Sequence, residues 1–155
     1  MAVFFVAMAV SDAYDEVKSN QKETLMSTNN SSLLRNALYG NSAFSFISGL
    51  AFVLLSKAIA GFLGLSASWI ILALGAGLIL YGWQIFSAAK AEPINRSVAT
   101  LAVYADLFWV LLSAVLIFVN LVPFTTAGKW AIAIIADIVL VFAILQFVGL
   151  RRVAN

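Results

Sequence analysis

The hydrophobic and polar positions of this chain fall into long blocks separated by charged residues. Between Arg35 and Lys57 lie 21 uncharged residues, 36–56. Between Lys57 and Lys90 lie 32, residues 58–89. From Arg96 to Lys129 the block is again 32, residues 97–128, interrupted only by Asp106. The last block, 130–150, has 21 residues and is interrupted only by Asp137. A helix needs about 20 apolar residues to cross the hydrocarbon core of a bilayer. Each short block therefore holds one span, and each long block holds one span and a loop. The pattern predicts helices at about 36–56, 67–88, 98–119 and 129–150. Gly61, Gly64 and Pro123 fall between them, where a break in the helix leaves no unpaired backbone in lipid. Ala58–Ser66 (AIAGFLGLS) reads as an interfacial turn of helix or a tight loop, and Asn120–Gly128 (NLVPFTTAG) as its counterpart. The expected fold class is all-α: a four-helix transmembrane bundle with up-down-up-down connections.

The first residues break this pattern. MAVFFVAMAV is apolar but too short to span, and it lacks the basic leader of a secretory signal. SDAYDEVKSNQKETL is polar and mixed in charge. Met26 follows, then STNNSS, a run suited to starting a helix at Leu33. The expected division is a polar, flexible N-terminal extension over 1–32 and a four-span domain over 33–152, with Met26 as an alternative start of translation.

Composition turns these helices into membrane spans. The chain is 63% hydrophobic and 10% charged, with mean hydropathy +1.02. Soluble domains are about 45–50% apolar and about 25% charged. A water-soluble fold of this size has no room to hide the excess. The net charge of +2 is too small to point to nucleic acid. With no His and no Cys, disulfides, thiol chemistry, Cys/His zinc sites and imidazole-based catalysis are excluded. No enzyme activity, cofactor or metal is expected, and the lipid bilayer is the expected partner.

The basic residues are unevenly placed. Lys18, Lys22, Arg35, Lys90, Arg96, Arg151 and Arg152 share one side in a four-span layout, against Lys57 and Lys129 on the other. Cytoplasmic loops carry an excess of Lys and Arg, so both termini are expected in the cytoplasm, with the protein in a bacterial inner membrane. Trp69 and Trp130 open spans at the outer ends, and Tyr39 and Trp83 fall nearer the inner ends, as an aromatic belt would.

Asp106 and Asp137 are out of place. A carboxylate near the centre of a span costs about 2.5–3.5 kcal/mol on insertion scales, and no Lys or Arg lies inside a predicted span to pair with it. At 1.5 Å per residue the two acids differ in depth by only several Å, so they can approach each other or share a polar pocket. Trp109 and Ser113 lie three and seven residues beyond Asp106, on its face of the helix. On the first span Asn41, Ser45 and Ser48 form a polar stripe; Gln146 is the other polar residue on the fourth, and Gln84 lies near the inner end of the second. Two functions fit. One is a structural or accessory membrane protein in which these groups are interhelical fasteners, each bond worth about 0.6 kcal/mol on average. The other is a small proton-linked transporter or lipophilic-ligand binder using Asp106 and Asp137. Ala73 and Gly77 form a small-xxx-small pair for close helix packing, with Gly40 and Gly49 as further notches; the same motif can seat a homodimer or a larger membrane complex.

The two halves also match each other. Leu38-Tyr39 aligns with Val103-Tyr104, Asn41 with Asp106, Phe44 with Trp109 and Ser48-Gly49 with Ser113-Ala114; further on, Trp69 aligns with Trp130 and Tyr81 with Phe142. The offset drifts from 65 to 61, about one helical turn, so facing sides are kept. The expectation is a duplicated helical hairpin.

LLRNALYGNSAFSFISGLAFVL, AIAGFLGLS and ALGAGLILYGWQIF, with VYADLFWVLLSAVLIF and TTAGKW in the second half, resemble a widespread group of small bacterial four-span membrane proteins and, more distantly, DoxX-like four-helix membrane proteins. The resemblance covers about residues 33–152. It implies topology, and it carries no catalytic motif.

Overall fold

The computed structural model describes the backbone of residues 2–119 and 121–154, and the side chains of residues 16–19, 31–119 and 121–153. Among the described residues the chain is helical, with short connections: α1 (Ala2–Leu54), α2 (Ser56–Leu63), α3 (Ser68–Lys90), α4 (Arg96–Phe118) and α5 (Thr126–Ala154). Four segments are long and apolar enough to cross a membrane: Ser31–Leu54, Ser68–Lys90, Arg96–Phe118 and Thr126–Val153. They match the four predicted spans to within a few residues. The protein is an all-α, multi-pass membrane protein built as a four-helix bundle.

The first helix is longer than its span. Its backbone continues upstream to Ala2, through the run expected to start a new helix at Leu33. The physical reason is that residues 2–39 contain neither Gly nor Pro, so nothing in the polar stretch forces a break. Most side chains of the extension, Met26 included, lie outside the described residues.

The expected interfacial turn is the short helix α2. It ends at Gly64, whose φ of +85° is the left-handed conformation that glycine adopts without strain. Leu65 N donates to Ala60 O at 2.8 Å and Gly64 N to Gly61 O at 3.1 Å, satisfying carbonyls at the helix end. The counterpart loop docks onto it. Thr125 N donates to Leu63 O at 3.0 Å, and Thr125 Oγ1 donates to Phe62 O at 2.6 Å. The same Oγ1 accepts from Gly128 N at 2.9 Å, so one threonine caps α5 and ties it to α2. At the other end of the bundle, Asn95 caps α4 by accepting from Val98 N, and Arg35 Nη1 pairs with Glu92 Oε1 at 2.9 Å, joining α1 to the α3–α4 loop. We call these the α2 end and the basic end.

Helix α1 packs along α3 on one side and α5 on the other, α4 packs along α5, and α3 touches α4 more lightly. This order places α1 and α4 at opposite corners. The α1–α3 seam is closest where a Cβ added to Gly49 would fall 2.8 Å from Gly75 O, and one added to Gly75 would fall 2.8 Å from Gly49 O. Seven residues along each helix, Ser42 Oγ donates to Gly82 O at 2.9 Å. The seam therefore uses Gly49 as expected but not Ala73 and Gly77. Those two are exposed, and nothing lies within 4 Å of a Cβ built on Gly77. The buried face of α3 runs through Ile71, Gly75, Gly82, Ile85 and Ala89, and Gly77, two residues from Gly75, points about 200° away from it.

Large apolar side chains such as Ile47, Leu80, Phe108, Leu111 and Phe118 face outward. At the basic end, Leu34, Leu38, Ile85, Ala89, Ile94, Ala99 and Ala102 form one buried apolar cluster.

Candidate functional site

Asp106 sits midway along α4 with 3% of its surface exposed. Each of the other three spanning helices sends it a hydrogen-bond donor. Asn41 Nδ2 of α1 donates to Oδ2 at 2.6 Å. Tyr81 OH of α3 donates to Oδ1 at 2.6 Å. Gln146 Nε2 of α5 donates to Oδ2 at 3.2 Å. The phenolic oxygen is also 3.2 Å from Ala102 O. Ser45 Oγ donates to Asn41 Oδ1 at 3.4 Å, which orients the amide with its nitrogen toward the acid. Asn41 and Gln146 are 1% and 0% exposed. A carboxylate carries about four lone-pair sites, and three are filled by neutral donors, so burial of this acid does not depend on a cation. Gln146 Oε1 is a buried acceptor with no partner among the described residues.

Two neighbouring cavities lie on the α2 side of this cluster, and the smaller opens onto it. The first, about 40 Å³, is lined by Asn41, Ser45, Ser48, Tyr81, Asp106 and Trp109 together with apolar side chains. One water needs about 10–15 Å³ on this measure, so the space takes one to three waters or one small polar group. The second, about 540 Å³, is almost wholly apolar, with walls from all five helices and the loop before α5, among them Phe62, Ile71, Leu116 and Ile132. Phe52, Trp109 and Ile135 line both cavities and stand between them. Ser113 borders the large one, but its hydroxyl is turned back to Trp109 O at 2.8 Å. A volume in the range of about 300–1,000 Å³ is that of small-molecule sites.

Of the residues singled out in the sequence, Asp106, Asn41, Trp109 and Ser113 come together here. Asp137 does not. It is exposed on the flank of the bundle, in a groove between α4 and α5 that it shares with Lys129, Trp130 and Phe118. Depth along the span does not decide which way a side chain faces. Asp137 and Gln146 are nine residues apart on α5, which is about 180° around a helix, so only one of them can face the centre. Ala136, Val139, Ala143 and Gln146 are the buried stripe. Tyr81, which the sequence singles out only as the match of Phe142, is the α3 partner of Asp106. Its signal was its register: it lies three residues after Leu78 and four before Ile85, on the stripe that α3 turns inward. Among the described residues no group of three or more acidic residues is placed to hold a metal ion.

Comparison with protein-family models, with curated proteins and with solved structures returns no match for this chain.

Proposed function

We propose that this protein binds a lipophilic molecule bearing one small polar group, and does no chemistry on it. The single observation that carries this reading is the juxtaposition of an apolar chamber of about 540 Å³ with a polar recess floored by Asp106. An apolar body fills the chamber, the polar group passes Trp109 into the recess, and the open lone pair of the carboxylate and the hydroxyls of Ser45 and Ser48 receive it. Asp106 also fastens the bundle, a second role favoured by its bonds to three other helices. A relay from Asp106 to Asp137 has no support, because the two acids line different spaces.

The proposed setting is a bacterial inner membrane with both termini in the cytoplasm, supported by the seven basic residues that the four-span layout puts on one side against two on the other. A duplicated hairpin is supported by matching contacts. Tyr81 reaches Asp106, and its counterpart Phe142 lies against Gly40, beside the Asn41 that corresponds to Asp106. The proposed relation to small bacterial four-span proteins rests on the sequence resemblance alone.

The test is solvent extraction of the purified full chain followed by mass spectrometry of the extract. The wild type is expected to release an apolar small molecule that Leu116→Trp, which fills the chamber, does not retain while its helix content is unchanged. Identical extracts from the two proteins would contradict the proposal.

A further inference from the structure

At the basic end, α4 and α5 leave a groove of about 320 Å³ on the lipid-facing surface. Its floor is apolar, from Val103, Leu107, Phe147 and Leu150, and its rim is Arg96, Thr100, Tyr104 and Arg151. We propose that this groove is a site for one anionic phospholipid, with the phosphate between Arg96 and Arg151 and an acyl chain along Leu107 and Phe147.

Three observations carry the assignment. The first is charge. Two guanidinium groups border one groove, no acidic residue lines it, and neither arginine takes part in an ion pair among the described residues. Two like charges bordering one groove favour a shared anion, and guanidinium matches phosphate oxygens geometrically. The second is placement. Arg96 is the first residue of α4, and Arg151 Cζ is held 4.6 Å from the centroid of the Phe147 ring, which fixes its head at the rim. The amide groups in the first turn of α4 add positive potential at the same point. The third is length. From Arg96 to Leu107 the helix rises about 16 Å. That is close to half of the roughly 30 Å hydrocarbon core, the depth of one leaflet. A headgroup at the rim and a chain on the floor fit this groove. A peptide or a soluble anion leaves its apolar length uncovered. The site is separate from the Asp106 chamber, shares no lining residue with it, and stands or falls independently of the ligand proposed there.

The experiment is native mass spectrometry of the full chain in detergent, titrated with dioleoyl phosphatidylglycerol or with dioleoyl phosphatidylcholine. One phosphatidylglycerol is expected to be retained in preference to phosphatidylcholine. Arg96→Gln and Arg151→Gln are each expected to weaken it about fivefold, and Leu107→Trp, which fills the floor, to weaken it as well. Arg152→Gln removes the same charge one residue outside the groove and is expected to change nothing. Equal losses from Arg152→Gln and Arg151→Gln would reduce the effect to diffuse surface charge and overturn the proposal. So would full retention by Leu107→Trp combined with displacement by inorganic phosphate, which would mark a free-phosphate site without a lipid chain. Unchanged retention in both groove-arginine variants would also overturn it.

Discussion

Asp106 and Asp137 lie on neighbouring antiparallel helices, at depths that differ by about 6 Å, and yet they occupy opposite environments. Asp106 is enclosed, with donors from α1, α3 and α5. Asp137 stands on the outside, in a groove open to lipid. Hydropathy treats the two alike, because it reads depth along the membrane normal. Their surroundings depend on angle around the helix, and a difference of half a turn separates a residue that joins four helices from one that joins none. The same contrast appears on α3, where Gly75 meets α1 backbone and Gly77, two residues on, meets nothing.

The largest effect is expected at Asp106. Asp106→Ala strands the Asn41 and Gln146 amides in the bundle interior and leaves the Tyr81 hydroxyl only its 3.2 Å bond to Ala102 O. Each interhelical bond in membrane proteins is worth about 0.6 kcal/mol on average, and an orphaned polar group costs about 1–3 kcal/mol. The expected loss is about 3 kcal/mol, read as a lowered unfolding temperature in detergent. Asp137→Ala in the same assay is expected to leave stability unchanged or to raise it, since it removes an acid from a lipid-facing surface. Next in size is the glycine pair. Gly75→Val drives a branched side chain into the backbone of Gly49 and Val53, where no flexible group can yield, and is expected to cost about 2 kcal/mol. Gly77→Val meets open space and is expected to cost nothing measurable by the same melting curve.

Smaller effects are expected within the cluster itself. Tyr81→Phe removes one 2.6 Å bond without creating a cavity and is expected to cost about 1 kcal/mol. Gln146→Leu removes the long 3.2 Å bond but also the orphaned Oε1, two opposing terms, and is expected to fall within about 0.5 kcal/mol of the wild type. A Gln146→Leu loss as large as that of Tyr81→Phe would show that Oε1 has a partner in the membrane, with an ordered water in the recess as the physical source.

Much of this architecture was legible in the spacing of charges. Four spans follow from the block lengths and the thickness of a bilayer, and the short helix α2 follows from a glycine-bounded apolar stretch too short to cross. Asn41, Trp109, Ser113 and Asp106 were found together because they repeat at helical spacing on two helices that share a direction. Four features were not legible by these means. The upstream extent of α1 escaped because polar residues without Gly or Pro neither favour nor forbid helix. The choice of Gly75 over Gly77 and the outward facing of Asp137 escaped because both are questions of which stripe turns inward. In lipid, hydrophobicity does not answer that question, since the outside is as apolar as the core. The chamber between Phe62, Leu116 and Ile132 was invisible because it is a space between helices with no polar signature in the sequence.

The bundle converges on Asp106 and bypasses Asp137. Solid-state NMR of the protein in lipid bilayers tests it directly, by carbon–nitrogen correlation between aspartate side-chain carboxyl carbons and side-chain amide nitrogens. Contacts are expected from Asp106 to the nitrogens of both Asn41 and Gln146, and none from Asp137. A spectrum in which Asp106 lacks both contacts, or in which Asp137 shows one, would contradict it.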